Sequence, residues 1–220
     1  MTKIACVIPW MSPFIWAASM PAYLNLRIPA GLEHRWFMAN GWCSARRKTT
    51  GVELAKAWGA DLILFTDADQ VVEPDALERL YAHHCAGRTP VCALQPSRSY
   101  LPGLMQKPYQ PVCWDEDAKP FTPDKVQIVK HGPLGCFLIP MAIFDALPRP
   151  WFSERFDPVT MARLSSLDPH FTRKLWDNKM PMWVDPGIRS THLHPMEIDW
   201  TFQDRFDDLI VEKEPCPEKL

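Results

Sequence analysis

Two aspartates separated by one residue follow a short apolar segment. Their type and spacing make them the best candidates in this chain for binding or catalysis. Leu62–Thr66 predicts a fully buried strand, and Asp67 and Asp69 come directly after it. In an open α/β sheet, ligands bind at the carboxyl ends of the strands. Two carboxylates there can bind one hard divalent cation and the phosphates that it carries. A capped turn is the structural alternative, because Asp is also common between strands and helices.

The surrounding segments alternate between strand and helix patterns. Residues 4–8 predict a first buried strand that Pro9 ends, and a helix is predicted from Ser44 as N-cap to Trp58, with Gly59 as its C-terminal stop. This β-α-β-α-β order predicts an α/β domain with a mostly parallel central sheet and helices on both faces. The further predicted elements are a helix from Pro74 to Gly87, strands at Val91–Leu94, 126–129, 136–139 and 182–184, and helices at 140–147 and from Asp168 onward.

Prolines break this pattern in the segment 96–123, which contains six of them. Such a density forbids regular helices and strands, and a long segment without secondary structure in a compact domain is typical of a substrate-covering loop.

Length and composition favour one domain over residues 1–220, because 47% hydrophobic residues are ample for a substantial core. The end from about residue 212 is expected to be frayed. A formal charge of −2 gives no basic field, so we expect no nucleic-acid partner. Locally, Arg46-Arg47-Lys48 form a basic triplet that suits either an anion or a solvated helix face.

The seven cysteines form no CxxC pair and are odd in number, which argues against a disulfide framework and a structural zinc site. A reducing compartment, the cytoplasm, is the expected location. Residues 4–26 carry no charge, so a signal peptide or a membrane span has to be considered, but Pro9, Pro13 and Pro21 interrupt this stretch. We therefore expect no membrane span.

The order of these motifs resembles the GT-A glycosyltransferases, close to the family 2 type. The resemblance extends roughly over residues 3–193 and rests on the order and spacing of the motifs. The matched segments are Val7-Ile8-Pro9, Ala45-Arg46, Phe65-Thr66-Asp67-Ala68-Asp69, residues 135–140, Pro150-Trp151-Phe152, Asp168-Pro169-His170-Phe171 and residues 184–192.

The resemblance implies a GT-A fold and a metal-dependent enzyme that moves a sugar from a nucleotide-diphosphate sugar to an acceptor hydroxyl, with inversion. Retention stays open as an alternative, because retaining GT-A enzymes share the DxD and the late histidine. It implies Asp69, His192 and Asp67 as ligands of Mn²⁺ or Mg²⁺, and imidazole suits manganese. His192 could instead be a surface histidine beside His194. Asp168 matches the general base, although an N-cap role alone would also explain it.

The same resemblance implies donor-binding residues. Arg46 matches an arginine near the donor diphosphate, and Trp151 and Trp10 could stack on a sugar or a base, although most tryptophans serve packing. The full implied donor set is Pro9, Arg46, Asp67, Asp69 and Trp151.

Three other functions fit parts of the sequence. The DxDx[VT] pattern Asp67-Ala68-Asp69-Gln70-Val71 also suits a haloacid-dehalogenase-type phosphotransferase, but that class needs paired acids after another buried strand. The only late pair, Asp207-Asp208, lies in a polar segment. A nucleotidyltransferase would carry a glycine-rich basic loop after the first strand, where residues 9–13 have neither feature. A non-catalytic nucleotide- or sugar-binding module stays open, and donor binding without turnover would favour it.

Overall fold

The computed structural model describes residues 1–10, 19–95, 125–160 and 163–193, with residues 163, 164 and 192 described as backbone only. The proline-rich segment 96–123, His194 and the C-terminal tail lie outside these described residues. Our predictions for them therefore stay predictions.

Strands and helices alternate along the described chain. The strands are β1 (Lys3–Pro9), β2 (Glu33–Ala39), β3 (Leu62–Thr66), β4 (Gln70–Val72), β5 (Val91–Leu94), β6 (Gln127–Val129), β7 (Cys136–Pro140), β8 (Arg155–Phe156), β9 (Arg163–Ser165) and β10 (Met182–His192). The helices are α1 (Met20–Leu24), α2 (Ser44–Trp58), α3 (Ala76–Cys85), α4 (Met141–Ala146) and α5 (Leu167–Asp177).

One mixed sheet organises the molecule, with the strand order β2-β1-β3-β7-β5-β10-β4 and with β6 paired to β10. The pairs β1–β2, β1–β3 and β5–β10 are parallel, whereas β7 runs antiparallel between β3 and β5. Beyond a register shift, β10 pairs antiparallel with β4. The predicted α/β class with a mostly parallel sheet and flanking helices is confirmed, and β8 with β9 forms a separate small hairpin.

Helix α2 lies close against the sheet because one of its residues has no side chain. A Cβ on Gly51 would come within 2.4 Å of Val7 Cγ1 and 3.1 Å of a Phe65 ring carbon. The helix ends at Gly59, whose φ of 76° is the left-handed conformation that favours glycine. Its N-cap position is Cys43, one residue before the predicted Ser44.

The two faces of the sheet carry different core layers. On one face, aromatic residues pack together, and Phe152 and Phe171 stack with ring centroids 4.4 Å apart. The other face is mainly aliphatic and is covered by α3 through Leu77 and Leu80. Both faces are therefore buried, as expected for parallel strands that consist of continuous apolar runs.

The structure differs from the sequence analysis in two further points, a strand that was not predicted and the start of the last helix. We did not predict β2, because an edge strand with half-exposed, partly charged residues lacks the apolar run of a central strand. We also expected Asp168 as the N-cap of the last helix, but the N-cap position of α5 is Ser166, which places Asp168 within the first turn.

Candidate functional site

The carboxyl ends of two parallel strands define the candidate site. Strand β3 ends at Thr66 and leads into Asp67, and β5 ends at Leu94 and leads into Gln95. Strand β7 lies between them and runs in the opposite direction, so it begins at this same edge directly after Gly135. The ligand-binding edge of the sheet therefore also contains the backbone that precedes β7.

Gly135 joins the two strand ends. Its carbonyl oxygen accepts a hydrogen bond of 2.7 Å from the Asp67 N–H, and its own N–H donates to Oε1 of the buried Gln95 at 3.1 Å. A Cβ at position 135 would lie 2.2 Å from that same Oε1. A side chain at position 135 would therefore have to displace the Gln95 side chain from this hydrogen bond.

Lys48 on α2 is buried beside the first aspartate. Its Nζ lies 2.5 Å from Asp67 Oδ1 and donates to the Leu134 carbonyl oxygen at 2.8 Å. The same ammonium sits over the ring faces of Phe65 and Phe137, 5.4 and 5.7 Å from their centroids. The carboxylate, the carbonyl and the aromatic rings together compensate the burial of this charge.

Burial corrects the solvated-face interpretation of the basic triplet for two of its members, Arg47 and Lys48. Lys48 is 2% exposed and Arg47 is 7% exposed, whereas Arg46 is exposed. Lys48 occupies the same helix face as the buried Val52 and Ala55, at spacings of four and seven residues. That spacing was the signal in the sequence that could have identified it.

The turn that carries the two aspartates is fixed through its carbonyl groups. The Asp67 carbonyl accepts from the Gln70 N–H and from the Tyr23 hydroxyl, and the Ala68 carbonyl accepts from the Ser19 hydroxyl. The Asp69 carbonyl accepts from the Leu193 N–H at 2.8 Å. These hydrogen bonds fix the backbone of the turn from which the Asp67 and Asp69 side chains extend.

Tyr23 stays a hydrogen-bond donor to this turn. Burial raises the pKa of Tyr23 well above its ordinary value, a hydrogen bond with Ser19 opposes part of that shift, and the charges of Asp67 and Asp69 add to it. The protonated phenol therefore holds the turn over the whole neutral range.

The backbone of β10 brings position 192 beside the aspartate turn. His192 pairs with Gln70 in the β4–β10 ladder, and the next residue, Leu193, bonds to Asp69. Residues directly opposite in an antiparallel pair have Cα atoms about 4.5–5.5 Å apart. Positions 69 and 192, which lie far apart in sequence, are thus neighbours in the fold.

Gln70 leaves polar atoms unsatisfied next to this pair. The residue is fully buried, and neither its Oε1 nor its Nε2 has a hydrogen-bond partner among the described residues. Buried amides in native proteins are almost always bonded to protein, water or an ion. The unsatisfied amide marks this position as one that an additional polar group would complete.

Asp168 reaches the same edge from α5. Its Oδ2 accepts a hydrogen bond of 3.1 Å from the Leu134 N–H. Leu134 thus bonds to two charged groups through its backbone: its N–H donates to Asp168, and its carbonyl accepts from Lys48. The first turn of a helix and a backbone N–H both stabilise negative charge on Asp168.

Two predicted donor-binding residues are Pro9 and Arg46. Pro9 is the last residue of β1, and Arg46 lies near the start of α2. Pro9 is buried and pairs with Ala39 of β2. Arg46 is half-exposed and forms an ion pair of 3.5 Å with Glu53 on its own helix. Strand β1 is parallel to its neighbour β3, so both positions face the same edge as Asp67.

Trp151 is a core residue in the structure. It is 3% exposed, its Nε1 donates to the Phe144 carbonyl at 2.9 Å, and its ring packs against the Phe144 ring and the Arg149 guanidinium. These contacts occupy its faces and its polar atom. The expectation that Trp151 stacks on a sugar or a base is therefore corrected, and we do not count it as a ligand-binding residue.

A second polar cluster, which we did not predict, ties α3 to β10. Asp185 is buried, lies 2.8 Å from His83 Nε2 and accepts from the Gly187 N–H, while Arg79 donates to the Gly187 carbonyl at 2.8 Å. The register of β10 shifts between Asp185 and Arg189. This cluster fixes the bend after which β10 leaves β5 and pairs with β4 beside Asp69.

Among the described residues, which exclude the His192 side chain, no three His, Cys, Asp or Glu side chains form a group that could hold a metal ion. None of the helices in the described part of the chain has the length and apolar character needed to cross a membrane.

Comparison with known proteins gives matches in structure. No protein-family model matches the sequence, and a search of curated proteins finds no match. The crystal structure of A197 from STIV is similar, with a TM-score of 0.55 and 14% identity over 89% of this chain and 87% of A197. The structure of GalNAc-T7 with UDP, GalNAc and Mn²⁺ is similar with a TM-score of 0.56 and 16% identity, over 89% of this chain and 44% of GalNAc-T7.

These similarities establish the fold. The chain has the GT-A fold that the sequence motifs predicted. It matches less than half the length of GalNAc-T7. At this level of identity the comparisons show the fold alone.

Proposed function

We propose that this chain is a glycosyltransferase that moves a sugar from a nucleotide-diphosphate sugar to an acceptor hydroxyl, with inversion and with Mn²⁺ or Mg²⁺ as cofactor. One observation carries the proposal. At the ligand-binding edge of a GT-A fold, Asp67, Lys48 and Asp168 meet around the backbone of Leu134 and Gly135.

The donor atoms of this edge fit a divalent cation. Carboxylate oxygens are the ligands that Mg²⁺ and Mn²⁺ prefer, and the carbonyls of the aspartate turn already accept protein hydrogen bonds. We propose Asp69 and Asp67 as ligands, with His192, whose backbone lies next to Asp69, as the third. A bound cation would neutralise the charge that develops on the departing diphosphate.

Asp168 is the proposed general base. Its Oδ2 is held by the Leu134 N–H, which orients the carboxylate toward the edge where Asp67 begins its turn. A carboxylate that is anionic and oriented can take the proton from an acceptor hydroxyl as that hydroxyl attacks the sugar.

Pro9 and Arg46 are the proposed contacts to the nucleotide. The Arg46 ion pair with Glu53 is half-exposed, and such surface pairs contribute little stability. Arg46 can therefore exchange Glu53 for a diphosphate at low cost, which would place its charge beside the leaving group.

The alternatives differ in what the fold supports. A haloacid-dehalogenase-type phosphotransferase would have its DxD strand first in the chain, whereas here β1 and β2 precede β3 and the fold is GT-A. A non-catalytic binding module would share the fold and the site, so only turnover separates it from an enzyme.

A thermal-shift screen of nucleotide-diphosphate sugars, with Mn²⁺ and with EDTA, tests the proposal. A ligand at 100 times its Kd stabilises the native state by about 2.7 kcal/mol. For a domain of this size that corresponds to about 5–10 °C in Tm. Donors that shift Tm only with the metal are then incubated with candidate acceptors, and release of the nucleoside diphosphate is measured. Equal shifts with Mn²⁺ and with EDTA would contradict metal-dependent donor binding.

A further inference from the structure

Lys48 holds a positive charge at a place where the proposed function needs to bind another one. Its Nζ lies 2.5 Å from Asp67 Oδ1, so one oxygen of a proposed metal ligand already has a cationic partner. A divalent cation near the same carboxylate would be close to the ammonium group.

The ammonium group is held in place by its surroundings. The Lys48 side chain is 3% exposed, and its Nζ donates to the Leu134 carbonyl. The same Nζ lies 5.4 and 5.7 Å from the ring centroids of Phe65 and Phe137. Moving it away from Asp67 would break these contacts and leave a buried charge without partners. Lys48 therefore stays beside Asp67 when a ligand arrives.

We propose that Lys48 is a resident cation of the aspartate site, which weakens the binding of a free divalent cation and makes the cation and a nucleoside diphosphate bind together. This inference rests on the proposed function. The Lys48 ammonium offsets the negative charge of Asp67, and repulsion between the ammonium and the metal opposes binding of the metal alone. A diphosphate adds the negative charge that the site lacks, so each ligand strengthens the binding of the other.

Direct measurement of Mn²⁺ binding tests this inference. Free Mn²⁺ is followed by electron paramagnetic resonance in titrations of the full chain, without nucleotide and with UDP, GDP or ADP. Lys48→Met removes the charge and keeps an unbranched apolar stem beside the stacked rings of Phe65 and Phe137. It should tighten binding of Mn²⁺ alone by about 10- to 100-fold and shrink the additional gain from the diphosphate.

Lys56→Met is the matched control. Lys56 lies on the same helix and pairs with Asp145, but both side chains are exposed, so the same change in net charge should alter Mn²⁺ affinity by less than about twofold. Lys48→Gln separates charge from contact, because Gln can still donate a hydrogen bond. It also provides a second route to the answer if Lys48→Met does not fold, and it should show the same gain.

Two results would overturn the inference, and they differ from each other. If the parent protein binds Mn²⁺ together with a nucleotide, but Lys48→Met and Lys48→Gln leave the affinity for Mn²⁺ alone unchanged or weaker, Lys48 is only a structural partner of Asp67. If the parent binds no Mn²⁺ with any of the diphosphates, the proposed function itself fails, and this inference fails with it.

Discussion

Replacing Asp67 with Ala should destabilise the fold, although Asp67 lies in a turn. The change removes the carboxylate from the buried ammonium of Lys48 and leaves it with the Leu134 carbonyl and two aromatic rings. Removing one partner of a buried ion pair costs about 3–5 kcal/mol. The Asp67 side chain is 29% exposed, so water can reach the vacated position, and we expect about 3 kcal/mol. In a domain of this size Tm should fall by about 6–12 °C.

Urea denaturation of the metal-free protein measures this cost. Asp145→Ala is the matched control, because it removes a carboxylate from the partner of Lys56, another lysine of α2, in a pair whose side chains are both exposed. It should cost less than about 1 kcal/mol. The double variant Lys48→Met/Asp67→Ala removes both charges and should recover at least half of the loss, because the buried charge is then gone.

The reasoning would be refuted if Asp67→Ala cost less than about 1 kcal/mol, the value of an exposed ion pair. A double variant that is no more stable than Asp67→Ala would have the same consequence. Either result would mean that Lys48 does not depend on Asp67 for its charge.

Three further changes test the site. Asp168→Asn should lower the turnover rate by a factor of about 10²–10⁴ and leave donor affinity within about twofold, because Asn still accepts from the Leu134 N–H but cannot take a proton. Near-parental release of nucleoside diphosphate by a folded variant would remove Asp168 from the mechanism. Gly135→Ala should destabilise by about 1–3 kcal/mol in urea, because its Cβ would overlap Gln95 Oε1, and an unchanged midpoint would mean that Gln95 moves aside freely. Asp185→Asn should lower stability by about 1–3 kcal/mol through the contacts of α3 with β10, with the exposed Glu78→Gln as control, and equal Tm values for the two variants would contradict that role.

The central elements could be predicted from the sequence because their patterns are unambiguous. Leu62–Thr66 and Val91–Leu94 were predicted with the observed bounds, since a strand buried on both faces is a continuous apolar run. The end of α2 was predicted for a local reason, because Gly59 adopts the left-handed conformation that ends many helices. The edge strand β2 has neither signal, and it was missed.

The role of Lys48 could not be predicted from its charge. A basic residue in a basic triplet suggests a solvated helix face, whereas position 48 belongs to the face that Val52 and Ala55 bury. The partner that makes this burial acceptable comes from 19 residues later in the chain, and the carbonyl that shares the ammonium from 86 residues later. Only the tertiary structure brings these groups together.

The antiparallel direction of β7 places additional backbone groups at the candidate site. The apolar run of Cys136–Pro140 fits a parallel or an antiparallel strand equally, because a residue pattern does not encode direction. Running antiparallel between β3 and β5, β7 begins where they end, so the backbone of Leu134 and Gly135 enters the ligand-binding edge. There the peptide groups of these two residues bond to Asp67, Lys48 and Asp168, which are the charged groups that the proposed chemistry needs. The side chains were visible in the sequence, but the backbone groups that arrange them follow from the strand order.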